Sequence, residues 1–133
     1  MWRRVLLVAL ALTLAGNGLH MLFAPQHWYL SLDSVAHTGP FNGHFVRDIG
    51  CAYLAAAAGI AIAAWRVTWM VPGLITALAF VGPHAALHLW ELGSGRHLTQ
   101  HLGLVDLVGI FGPPLLVILI LLSPRRWHRA REV

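Results

Sequence analysis

The stretch Val67–Trp90, VTWMVPGLITALAFVGPHAALHLW, decides the fold. Its 24 residues contain no Asp, Glu, Lys or Arg. A helix needs about 20 mainly apolar residues to cross the hydrocarbon core of a bilayer, so this run is a complete span. Three comparable runs flank it. Upstream, an apolar run from Val5 ends at Ala24, where Pro25-Gln26-His27 breaks it, and another begins near Phe45 and is uncharged from Ile49 to Trp65. Downstream, Leu102 to Ser123 is interrupted only by Asp106 and stops at Pro124 and a cluster of arginines. The expected fold is therefore an all-α integral membrane four-helix bundle forming one domain. Its helices are expected near 5–24, 45–65, 67–91 and 102–123, with an outer loop over 25–43.

Composition points the same way. The 133 residues are 58% hydrophobic and 11% charged, against roughly 45–50% and about 25% in soluble domains. That balance excludes a water-soluble domain and a disordered tail. The single Cys51 excludes an intrachain disulfide and any CxxC metal motif. Trp2-Arg3-Arg4 before Leu6–Ala15 also resembles the basic start and short core of a signal peptide, but the apolar run continues past the usual cleavage distance.

The net charge of +4 comes from nine arginines and no lysine. Four arginines lie in the last nine residues, which suits membrane topology and anionic headgroups and argues against nucleic acid as a partner. Arginine bias orients the bundle. With both termini cytoplasmic, seven of nine arginines lie inside, and only Arg47 and Arg96 lie outside. The expected location is the bacterial inner membrane. Eight of nine histidines then fall in the outer half, with Asp33, Asp48, Glu91 and Asp106.

Helical spacing groups these residues. Positions i, i+4 and i+7 share a face, so His84, His88 and Glu91 occupy an arc of about 60°. His44, Asp48 and Cys51 share a face of the second span, as do Thr13, Asn17 and His20 of the first. His97 and His101 form a further i, i+4 pair. Asp106 points away from them, about 140° around from His101. Ionisable groups inside a span normally face the bundle interior and pair. The stripes therefore predict a shared polar pocket near the outer surface. Ala52, Ala55, Ala56, Gly59 and Ala63 would allow close packing of the second span, with Cys51 a small core residue. Gly82-Pro83 would loosen the third span beside His84. Trp28, Tyr29, Trp65, Trp69, Trp90 and Trp127 read as interface belts.

Imidazole and carboxylate without thiolates would favour iron, copper, zinc or manganese. The expected ligands are His84, His88, Glu91, His44 and Asp48. Arg47 is expected as a charge partner for Asp48 or Asp106, and His20, Asn17, His97, His101 and Asp106 as supporting polar groups. Bis-histidine haem fits less well, because four short helices leave it little room. Such a pocket would serve an enzyme acting on a hydrophobic small molecule, or a metal carrier. The same groups without metal would suit acid–base chemistry of an isomerase type. A different class is a structural or assembly subunit, a homo-oligomer or part of a larger membrane complex, with the polar residues as interhelical contacts. The two classes differ in whether the stripes of the second and third spans converge.

The segment Gly43-His44-Phe45-Val46-Arg47-Asp48-Ile49-Gly50, with Tyr53-Leu54-Ala55 after it, resembles the DoxX-like small four-helix bacterial membrane proteins. The likeness covers the four-span layout and one motif entering the second helix. It implies a compact bundle and little about activity.

Overall fold

A computed structural model of the chain describes residues 2–94 and 103–123. All regular structure among them is helical. The elements are α1 (Trp2–Phe23), α2 (Pro25–Ser31), α3 (Asp33–Ala36), α4 (Gly43–Trp65), a 3₁₀ turn (Val67–Trp69), α5 (Met70–Gly93) and α6 (Leu104–Leu122). Three stretches, Trp2–Phe23, Gly43–Trp65 and Val67–Gly93, are long and apolar enough to cross a membrane. The apolar part of α6, Asp106–Leu122, is shorter.

Local chemistry sets the boundaries. Pro25 disfavours helical backbone at the residue before it, and Ala24 leaves the helix at φ −135° and ψ 57°. Pro25 then opens α2 at its first turn, where a missing N–H costs nothing. The expected loop over 25–43 thus contains two short helices. Asn42 starts α4 two residues earlier than expected, because its side-chain oxygen accepts from the backbone N–H groups of His44 and Phe45, both at 3.1 Å. Asp106 caps its own helix: its Oδ2 accepts from the Gly103 N–H at 3.0 Å. The α5 helix continues through Pro83, although proline removes the N–H that would reach the carbonyl of Ala79.

Long helices adjacent in the bundle run antiparallel and approach closely where glycines face each other. A Cβ on Gly18 would lie 2.8 Å from the Gly50 carbonyl oxygen, joining α1 to α4. A Cβ on Gly59 would lie 2.7 Å from the Gly73 oxygen, joining α4 to α5. Small residues let helix backbones meet in this way, so dispersion and interhelical contacts replace the hydrophobic drive that lipid cannot supply. Ala56, Gly59 and Ala63 are buried in these contacts, whereas Ala55 is exposed. Leu7, Met21, Ile60, Leu74 and Val117 are the largest fully buried side chains. Arg3 Nη2 donates to Ser123 Oγ at 2.5 Å, tying the start of α1 to the end of α6.

Candidate functional site

The polar core of the molecule begins at Tyr53, near the middle of α4. It is buried, and a buried phenol needs a partner for its hydroxyl. That partner is His84 Nε2 on α5, at 3.3 Å. The phenol donates when the imidazole carries its proton on Nδ1. Phe80, one turn below His84, stacks on the imidazole (centroids 5.7 Å, 23° between planes) and meets the Tyr53 ring edge-on at 5.0 Å. Below Phe80 the interior is apolar, formed by Leu74, Ala77 and Ile60.

Above His84 the polar groups continue along α5. The His84 and His88 rings meet edge to face at 4.8 Å, and His88 Nδ1 lies 3.4 Å from Glu91 Oε2. The His88 and Glu91 side chains are 26% and 17% exposed, so this end of the row is partly uncovered while Tyr53 is buried. Seven residues of helix separate His84 from Glu91, a rise of about 10 Å. Tyr53, His84, His88 and Glu91 therefore form a row from mid-bundle to one end, closed below by Phe80.

The second stripe does not join this row. His44 and Asp48 are 88% and 61% exposed and lie 3.4 Å from each other. Cys51 is also exposed, contrary to its expected place in the core. The expectation of one pocket shared by both stripes is corrected accordingly: α4 turns Gly50, Tyr53, Ala56, Gly59 and Ala63 inward, and the His44 face outward. Among the described residues, no three His, Cys, Asp or Glu side chains stand together as a metal-ligating group.

Arg47 has a different role from the one expected. Its Nε donates to the Leu22 carbonyl at 3.2 Å and its Nη1 to the Gly43 carbonyl at 3.3 Å. The guanidinium thus satisfies one carbonyl at the end of α1, where a cation also suits the helix dipole, and one in the first turn of its own helix, and it pairs with neither Asp48 nor Asp106. Asp106 is engaged in its helix cap.

Asn17 and His20 fasten α2 to α1. Asn17 Oδ1 accepts from Trp28 Nε1 at 2.8 Å, and His20 Nε2 lies 2.8 Å from His27 Nδ1. Trp28 and Tyr29 are consequently more than belt residues. Tyr29 is buried, and its hydroxyl donates to the carbonyls of Ala36 and Gly39, folding the 25–43 segment back on itself. Trp65, Trp69 and Trp90 are exposed, as interface residues would be. His97, His101 and Trp127 lie outside the described residues. Sequence reading missed Tyr53 as a site residue. The signal available was a phenol midway along an otherwise apolar span, where its hydroxyl has to find a partner on a neighbouring helix.

No protein-family model matches the chain, and neither a curated protein nor a solved structure matches it.

Proposed function

We propose that this chain is a four-span protein of the bacterial inner membrane, with both termini cytoplasmic and an acid–base site in its outer half. The site consists of Tyr53, His84, His88 and Glu91 and exchanges protons with a hydrophobic small molecule drawn from the bilayer. One observation carries this reading: the 3.3 Å contact of the Tyr53 hydroxyl with His84 Nε2, deep in the bundle, at the inner end of a row that reaches Glu91. A phenol, two imidazoles and a carboxylate each give and take protons, and each transfer needs hydrogen-bond reach or one intervening water. Glu91, at the open end, exchanges with solvent. Tyr53 and His84, at the closed end, face the reacting molecule.

The orientation is supported by charge. Arg3, Arg4 and Arg66 lie at one end of the bundle, and Asp33, Asp48, Glu91 and Asp106 belong to the other. Arginine favours the cytoplasmic side. The DoxX-like resemblance agrees with the four-span layout.

Two other readings each have one observation behind them. The pairwise contacts of His88 with His84 and with Glu91 favour a transition metal, whether iron, copper, zinc or manganese, although the three side chains would have to draw together to ligate it. A metal ion bound to His84 Nε2 would displace the Tyr53 hydrogen bond. The exposure of His44 and Asp48 favours a subunit that presents this pair to a neighbouring chain. All three readings separate on ¹⁵N-histidine NMR and elemental analysis of the untagged protein in nanodiscs. Acid–base chemistry requires His84 and His88 signals that move with pH and change in Tyr53→Phe and Glu91→Gln. A stoichiometric metal lost in His84→Ala would instead establish the metal reading. Histidine signals indifferent to both substitutions, in metal-free protein, would leave the subunit.

A further inference from the structure

A second feature lies at the opposite end of the bundle. Between α1 and α4 runs an apolar groove of about 330 Å³, within the range of small-molecule sites. Ala11 and Ala15 form one wall, Leu54, Ala58 and Ala61 the other, and Trp65 closes the end. From Leu54 to Trp65 the groove extends about 16 Å along α4. That is close to half of a hydrocarbon core of about 30 Å. One acyl chain of a single leaflet fits this length.

The closed end carries charge. The Arg4 guanidinium lies over the Trp65 ring, 5.5 Å from its centroid, and Arg66 directly follows Trp65 at the end of α4. Arg3, whose Nη2 bonds Ser123, adds a third cation at this level. Among the described residues, every acidic side chain belongs to the other end. A lipid seated in the groove would bring its phosphate to the level of Trp65, beside Arg4 and Arg66. Arg4 and Arg66 at this depth favour a net negative headgroup, each basic residue near a membrane surface adding attraction to anionic lipid.

We propose that the α1–α4 groove is a binding site for an anionic phospholipid, with one acyl chain against Ala58 and Ala61 and the phosphate on Arg4 and Arg66. The site is distinct from the Tyr53–Glu91 row and belongs to the opposite leaflet.

Native mass spectrometry of the full chain in detergent, with added phosphatidylglycerol or phosphatidylcholine, tests the proposal. The protein should retain one phosphatidylglycerol in preference to phosphatidylcholine. Replacing both cations (Arg4→Gln with Arg66→Gln) should lower phosphatidylglycerol affinity roughly ten- to thirtyfold and remove the preference. Filling the groove with Ala58→Phe and Ala61→Phe should abolish retention of either lipid. Leu119→Phe, on the exposed face of α6, should bind as the parent does, and each variant's helical circular dichroism verifies its fold. Equal retention of the two lipids by the parent would overturn the proposal. So would undiminished retention by the groove-filled variant, or a groove-filled variant that instead turns a dimer into a monomer.

Discussion

The Tyr53 hydroxyl and His84 Nε2, on neighbouring helices and 31 residues apart in sequence, lie 3.3 Å from each other in a partly buried contact between α4 and α5. This contact joins α4 to α5 at the depth where polar groups have fewest alternatives. Interhelical hydrogen bonds in membrane proteins average about 0.6 kcal/mol and reach about 1.7 kcal/mol. Tyr53→Phe should therefore lower stability by about 0.5–2 kcal/mol in mixed-micelle unfolding. In a double-mutant cycle with His84→Leu the two losses should be less than additive. Fully additive losses would show that the two groups do not interact.

Glycine placement gives a sharper contrast. A Cβ at Gly73 would overlap the Gly59 carbonyl oxygen, and one at Gly18 would overlap that of Gly50, whereas one at Gly16 would meet nothing within 4 Å. Overpacking a close interface typically costs about 1–3 kcal/mol. Gly73→Ala and Gly18→Ala should each destabilise the fold by about that amount. Gly16→Ala should be neutral or slightly stabilising, since alanine is the better helix former. Equal effects at all three positions would refute the packing described.

Arg47 holds the end of α1 through the Leu22 carbonyl. Arg47→Gln shortens the reach and removes the charge, so α1 should fray at its last turn. The expected readout is faster hydrogen exchange at the Ala24 amide, which now donates to the His20 carbonyl at 2.9 Å, with a loss of about 1 kcal/mol. Unchanged exchange there would show that Arg47 does not support the turn.

The α2 segment is held to α1 by two side-chain bonds, Trp28 to Asn17 and His27 to His20. Removing one leaves the other. Trp28→Phe with His27→Ala should release the segment, and limited proteolysis should then cut within 25–31 much faster than in either single variant. Cleavage no faster in the double variant would assign the docking to other contacts.

His44 and Asp48 face outward and lie beside each other, and exposed ion pairs contribute about 0–1 kcal/mol. His44→Ala should change stability by less than about 1 kcal/mol and leave the His84 and His88 NMR signals in place. Disturbance of those signals would connect the two stripes after all.

Much of the fold was legible in the sequence. Uncharged runs marked α1, α4 and α5 because a bilayer demands long apolar helices, and Pro25 marked the end of α1 because it constrains the backbone before it. The His84, His88, Glu91 row was also legible, since the three share one face of a single helix. Convergence between helices was not. Periodicity placed His44 and Asp48 on a common face without saying which face met α5, and Tyr53 lies five residues past Asp48, about 140° around the helix. The glycine contacts at Gly50 and Gly59 determine that rotation. Arg47 was misread because its partners are backbone carbonyls, which no side-chain pattern reveals.

Phe80 forms a floor beneath His84, and in a bilayer that floor has an electrical meaning. In the orientation proposed above, the polar row would carry the outer solution's potential inward towards His84, and most of the voltage would fall across the apolar part below the ring. A full crossing costs about 2.3 kcal/mol per charge per 100 mV. A proton travelling from Glu91 to His84 crosses only a fraction of that field, so membrane voltage would bias the site weakly and the aromatic floor would keep it from becoming a leak.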